Sequence, residues 1–281
     1  MLGVRLQELT QTEMIRAVVI TAILLLATLW PYLPGRFDAS AAALSSVIQV
    51  ASYVSLLFVP VGFAWMVSRK RSSIWHRLTV GLALLVVFIA VVSAVSVNHL
   101  AMGAILGLAS IMFLRAAVRG TRAKTEHAER TRPATPLYLA IIPVVLVAFI
   151  SSVLPRAAER SRDRAIRHSA TLIAAIESYR QRQGHYPLSL QSMNRDVPTG
   201  VVGIERFHYE PNGQSYNLFS VRQHVALDAK EVVMFNPRDE HRFTSHELDV
   251  LRYDGEQLAL RRGDRRRTPL GHPHWVSFLF D

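Results

Sequence analysis

The sequence predicts a membrane all-α bundle of five transmembrane helices, then a C-terminal α+β domain in which one long helix packs on an antiparallel sheet. Three observations predict it. Before Leu154 the chain holds long stretches without a charged residue, and the basic residues between them alternate between crowded and nearly empty gaps. After Pro155 the charges return, and apolar residues recur at helical spacing. Beyond Pro187 the recurrence shortens to every second residue, interrupted by Asn-Gly and Asp-Gly pairs.

A crossing helix needs about 20 apolar residues. Residues 17–33 meet this first, with Trp30 and Tyr32 suited to an interface. Residues 47–67 are the second crossing. Leu78–Leu114 contains no Asp, Glu, Lys or Arg and is too long for one crossing at about 1.5 Å per residue. Two crossings fit it, over 78–97 and 100–118, with a turn at Asn98-His99. These four define a membrane domain of residues 1–135. The fifth crossing, 136–154, continues into the second part of the chain, residues 136–281. Ala39-Ser40-Ala41 also resembles a signal-peptide cleavage site. The preceding apolar core exceeds the usual span of about 7 to 15 residues, which favours a crossing.

Charge sets the orientation. Arg5 and Arg16 precede the first crossing; Arg69, Lys70, Arg71 and Arg77 lie between the second and third. Arg115, in the last turn of the fourth, and Arg119, Arg122, Lys124, Arg130 and Arg132 lie at the gap between the fourth and fifth, and Arg36 alone sits in a gap of the other parity. Lys and Arg stay on the cytoplasmic side of short loops. The expectation is a multi-pass inner-membrane protein of a Gram-negative-like cell, N-terminus cytoplasmic and C-terminal domain periplasmic. The net charge of +11 is then mostly a topological signal. No basic stripe interleaved with aromatics appears, so the lipid bilayer, and no nucleic acid, is the expected partner. Cysteine is absent, which excludes disulfides and thiolate chemistry.

Within the crossings no charged residue lies near a midplane, which argues against ion-coupled transport. Gly103 and Gly107 form a G-x-x-x-G spacing that lets helices approach closely. Ser45, Gln49 and Ser52 share one helix face and are placed to hydrogen-bond across an interface, and Pro60 and Pro143 are expected to kink their helices.

In the second part, Arg156–Gln183 reads as a helix. It begins charged and then shows a stripe of Ala165, Ser169, Leu172, Ile176 and Tyr179. The charged start faces either anionic headgroups or solvent, in the latter case with internal pairs such as Asp163 and Arg167. Gly184 is suited to a left-handed helix end, and Pro187 prevents resumption. Strands are expected around Phe207–Tyr209, Tyr216–Ser220, Val232–Phe235 and Trp275–Phe280. Asn212-Gly213 turns the first hairpin, and Asp254-Gly255 turns a second between Val250–Tyr253 and Gln257–Leu260.

The run Ile173-Ala174-Ala175-Ile176-Glu177-Ser178-Tyr179, followed by Gly184-His185-Tyr186-Pro187-Leu188, resembles the helix end and loop of type IV pilins, the type II secretion pseudopilins above all. Phe207-His208-Tyr209, Asn212-Gly213 and Tyr216-Asn217-Leu218 resemble the first hairpin of their sheet. The resemblance covers roughly residues 136 to 260 and implies a pilin-like fold. It does not imply filament assembly. The segment Thr131–Pro136 lacks the prepilin-peptidase signature, no Glu stands where pilins have one, and four further crossings precede. The calcium loop of the major pseudopilins is also not recognisable.

No catalytic constellation emerges. There is no G-x-S-x-G, and His246-Glu247 is not continued as H-E-x-x-H. His272 and His274, with His241 or His246, are the weak metal candidates, but no spacing matches a zinc motif. Arg261, Arg262, Arg265, Arg266 and Arg267 form a patch suited to an anionic partner or a solvated loop. No cofactor and no enzymatic activity are expected. The expected role is binding or scaffolding of an envelope protein partner. The alternative is a sensor that couples an outside signal to a cytoplasmic partner, with Pro155 as the joint between the last crossing and the outer helix.

Overall fold

The computed structural model describes residues 11–68, 72–96, 135–193, 197–223, 230–241 and 268–280. The chain is helical with a C-terminal antiparallel sheet and divides into two compact units. Met1–Leu29 with Ala43–Leu154 forms one; Trp30–Ala42 with Pro155–Asp281 forms the other.

The first unit contains α1 (Gln11–Leu29), the greater part of α2 (Ala39–Ser55), α3 (Phe58–Val67), α4 (Ser72–Ser96) and α5 (Thr135–Ser152). Among the described residues, three helical stretches are long and apolar enough to cross a membrane: Met14–Tyr32, Ile74–Val92 and Thr135–Gln183. The bent pair α2–α3 makes a fourth if counted as one span. Their apolar side chains point outward: Leu26, Phe63 and Phe88 are 65%, 64% and 65% exposed. A protein surrounded by water does not leave such a density of large apolar groups uncovered.

The helix expected to make the second crossing begins earlier than its hydropathy indicates, at Ala39. Asp38 caps it, its Oδ1 accepting from Ser40 N at 2.9 Å. The helix then breaks at Leu56-Leu57 with a bend of 41°. Pro60 is the cause, because it has no N–H to give the Leu56 carbonyl. That carbonyl accepts from Val59 N instead, at 3.0 Å, in a tighter turn.

Two contacts knit this bundle. Ser45 donates to the carbonyl of Thr28 on α1 at 2.8 Å, and Gln49 Nε2 donates to Ser45 Oγ at 3.0 Å. Ser45, Gln49 and Ser52 are all buried, but of the polar face expected on α2 only Ser45 bonds to another helix; Gln49 bonds Ser45, and Ser52 the Ile48 carbonyl, within α2. Among the described residues of this unit the close-packing glycine is Gly62: a Cβ there would lie 2.6 Å from the Pro136 carbonyl oxygen and 3.1 Å from Ala140 N. Backbones of α3 and α5 thus approach directly. Gly103 and Gly107, the fourth crossing and its turn lie outside the described residues.

The second unit is built on α6 (Leu154–Gln183) and a five-stranded sheet: β1 (His208–Asn212), β2 (Ser215–Gln223), β3 (Lys230–Phe235), β4 (Thr268–Pro269) and β5 (Trp275–Phe280). The order is β1-β2-β3-β5-β4, antiparallel throughout. Ala165, Ser169, Leu172 and Ile176 of α6 are buried. Its apolar members join Tyr216, Leu218, Val233, Phe235 and Trp275 of the sheet in one core. Each fully buried Leu or Ile there contributes about 1.5–3 kcal/mol. The opposite sheet face is also apolar and buried, with Phe219, Val232, Met234, Val276 and Phe278 in a second cluster. This explains why Val232–Phe235 reads as a continuous apolar run and not as an alternation.

The first hairpin differs from expectation by one residue. Asn212 pairs with Ser215, so the loop is Gly213-Gln214, and Gly213 takes φ +53°. Gly at the first loop position is the type II′ requirement. The second expected hairpin, over residues 250–260, lies outside the described residues. Among the described strands both outer ones carry a proline, Pro211 in β1 and Pro269 in β4, a device that blunts pairing with another strand.

Candidate functional site

The second unit concentrates the polar chemistry. At the C-terminal end of α6, Gly184 has φ +77° and its N–H reaches the Arg180 carbonyl at 2.8 Å. The chain reverses there, and Tyr186 folds back against Tyr216, ring centroids 4.9 Å apart. Its hydroxyl accepts from Arg180 Nη1 at 2.8 Å and donates to Glu177 Oε1 at 3.4 Å. Tyr209 donates to the Pro187 carbonyl at 2.9 Å. The G-x-Y-P stretch is therefore a clasp between helix end and sheet. Burial pushes the phenols of Tyr186, Tyr209 and Tyr216 up, with Glu177 reinforcing the shift, so all three stay neutral at ordinary pH.

At the other end of α6 lies a buried ion triad. Glu231 of β3 is cross-strand partner to Arg222 of β2. Arg222 Nε donates to Glu231 Oε2 at 2.7 Å and its Nη2 to the same oxygen, while Nη1 reaches the Ala158 carbonyl of α6. Arg162 Nη1 meets Glu231 Oε1 at 3.2 Å. The side chains of Glu231 and Arg222 are 4% and 5% exposed; that of Arg162 is 19%. Burial alone raises the Glu231 carboxyl, but the two guanidinium groups outweigh it and hold it below the ordinary range.

The segment Trp30–Ala42 is a strap on this unit. It includes a 3₁₀ turn, Trp30–Tyr32, and leads into α2. Gly35 N donates to the Gly200 carbonyl at 3.2 Å and Val202 N to the Leu33 carbonyl at 3.0 Å. Gly203 N donates to the Pro31 carbonyl at 2.7 Å, and Asp38 N to the Val202 carbonyl at 2.9 Å. Pro34 and Val201 form an antiparallel bridge between the first two bonds. Nothing larger than Gly fits at 203, where a Cβ would lie 2.7 Å from the Pro31 oxygen.

The individually predicted residues are dispersed. His241 Nε2 donates to the His274 carbonyl at 3.0 Å, His274 Nδ1 meets Asp239 Oδ2 at 3.1 Å, and His272 Nε2 meets Asp163 Oδ1 at 3.3 Å. Each imidazole serves a different acceptor, and no metal-sized group of three His, Asp or Glu side chains forms among the described residues. His246 and Arg261, Arg262, Arg265, Arg266 and Arg267 lie outside them. Phe207 and Tyr216 are core residues and Tyr209 is half-buried against them.

The pairing of Asp163 with Arg167 does not form, since Asp163 is turned to His272. Arg164, Arg167 and His168 instead line a cleft of about 450 Å³ with Thr171, Val197 and Pro198. The strap and this cleft were not legible in the sequence. The only local hints were the glycines at 35, 200 and 203, which mark close backbone approach.

No protein family, curated protein or solved structure matches this chain. The fold itself defines a class: a helical protein with apolar helices able to span a membrane and a C-terminal antiparallel sheet unit.

Proposed function

We propose that this protein resides in the inner membrane of a Gram-negative-like cell and holds a pilin-like domain on its outer side. That domain binds or scaffolds other envelope proteins and performs no chemistry of its own. The strap is the observation that carries the reading. Two segments joined by main-chain hydrogen bonds have no bilayer between them, so Trp30–Ala42 shares a side with the sheet unit. The number of crossings between the two is then even. The bent α2–α3 pair, α4 and α5 supply three. The crossing read from the sequence over 100–118 brings these to four, and α1 makes five. The basic residues assign Arg16, Arg69 and Arg77 to the cytoplasm, and hence the strap and sheet to the opposite side. The order long helix, G-x-Y-P clasp, antiparallel sheet supports the pilin-like reading. Proline in both outer strands of the described sheet argues that partners are met through side chains and not through an added strand.

A second reading, a sensor acting on a cytoplasmic partner, also draws on the strap. Through it the outer unit is joined in the chain to α1 and α2 as well as to α5, so a ligand that shifts this unit pulls on three membrane helices.

In-cell photo-crosslinking tests the binding role. A photoreactive residue replacing Leu188, which is 82% exposed, is expected to capture one defined envelope protein. The same products as from Val18 in α1, mere membrane neighbours, contradict it. Alkaline phosphatase fused after Asp281 tests the side, and is expected to be active.

A further inference from the structure

We propose that the cleft between α6 and the loop at Val197 and Pro198 binds the phosphate group of an anionic ligand. This goes beyond the display role and holds on either side of the membrane. Arg164 and Arg167 stand one turn apart on α6, and His168 and Thr171 line the cleft with them. Among the described residues no carboxylate lines the cleft. The nearest acidic group along the helix, Asp163, is engaged by His272. Like charges three or four residues apart destabilise a helix, and here no acidic side chain among the described residues relieves the two guanidinium groups. Their combined charge matches a phosphate dianion better than a single carboxylate, and guanidinium forks fit phosphate oxygens pairwise.

The cleft is also built, not incidental. Its loop wall continues into Thr199, whose hydroxyl donates to the Ile204 carbonyl at 2.6 Å, and into Gly200 and Val202, which the strap pins by main-chain hydrogen bonds. The volume lies within the range of small-ligand sites, about 300–1,000 Å³, and Val197 and Pro198 offer an apolar wall for the body that carries the phosphate. That body is either an anionic phospholipid or a free phosphomonoester. Arg164 stands twelve residues beyond the end of α5, about 18 Å along a helix, whereas a headgroup layer is about 5–8 Å thick. An upright α6 favours the free compound and a tilted one the lipid.

The test uses the full chain, delipidated and placed in phosphatidylcholine nanodiscs, titrated calorimetrically with inorganic phosphate. Saturable binding is expected, weakened at least tenfold in the Arg164→Gln/Arg167→Gln double variant with an unchanged thermal midpoint. Arg182→Gln, eighteen residues further along the helix, is expected to bind like the parent. Absence of saturable binding, or binding that survives the double substitution, overturns the proposal. Phosphatidylglycerol retained through purification then assigns the source. Less lipid on the double variant than on the parent identifies a headgroup site, and equal amounts identify a free phosphomonoester; either result upholds the phosphate site.

Discussion

Replacing Glu231 by Gln removes the one anion from between two guanidinium groups. Arg222 is 5% exposed and keeps neutral acceptors only, the new amide oxygen, the Ala158 carbonyl and Ser161 Oγ, with no counter-charge. Arg162, at 19%, is free to swing toward water. Breaking one partner of a buried pair costs about 3–5 kcal/mol, mostly because a charge is left uncompensated. For a unit of this size each kcal/mol moves the midpoint by about 2–4 °C, so the midpoint of thermal unfolding of the full chain in detergent should fall by roughly 6–20 °C. Arg222→Met/Glu231→Leu removes both buried charges and substitutes apolar volume. It is expected to recover most of that loss, since such replacements are about neutral or stabilising by 1–4 kcal/mol. The acid dependence has a defined sign. The folded carboxyl lies below its ordinary value of 4.5, so its contribution is complete above that value and is lost as pH falls through the folded one. Glu231→Gln should lack that part of the acid transition. A midpoint shift under about 2 °C, or a double variant as unstable as the single one, would refute the triad as the clamp between α6 and the sheet.

Other substitutions probe separate contacts. Gly62→Val forces a side chain onto the Pro136 carbonyl and should cost about 1–3 kcal/mol by overpacking, read as a lower unfolding midpoint in detergent. Gly203→Ala drives a methyl against the Pro31 oxygen; limited proteolysis should then cut the strap faster than in the parent. Tyr186→Phe deletes the hydroxyl that receives Arg180 and reaches Glu177 and should cost about 1–3 kcal/mol, again measured as a midpoint shift.

What the sequence discloses and what it hides divide along physical lines. The stripe of Leu172 and Ile176, the helix stop at Gly184 and the strand Trp275–Phe280 are local patterns, and the structure places them where the patterns do. Pro60 foretells a bend because a missing N–H acts within one turn. Gly62 escapes, since its meaning depends on a backbone about seventy residues away and it has no small partner four positions on. The strap escapes for the same reason. Trp30–Ala42 carries ordinary turn chemistry, and only the distant loop at Val201–Gly203 gives it a partner. Arg162, Arg222 and Glu231 look like any charged residues in a line of letters. Only the register that sets Arg222 opposite Glu231, beneath α6, makes them a buried triad.

The strap also offers a test that needs no reporter domain. Pro34 and Val201 are opposed in an antiparallel bridge whose hydrogen bonds run from Gly35 to Gly200 and from Val202 to Leu33. The pair itself exchanges none, which is why a proline is tolerated there. Residues opposed in this way have Cα atoms about 4.5 Å apart, inside the window of about 4.4–6.8 Å that a disulfide requires. The chain has no cysteine, so Pro34→Cys/Val201→Cys introduces the only thiols. In an oxidising outer compartment they should link quantitatively in growing cells and yield a faster-migrating band that reverts on reduction. The same pair facing the cytoplasm would stay reduced until an oxidant is added to lysed membranes. A pair that fails to link even then would deny the strap itself. Linking only after lysis would keep the strap and reverse the side, so the fold and its orientation are separated by one gel.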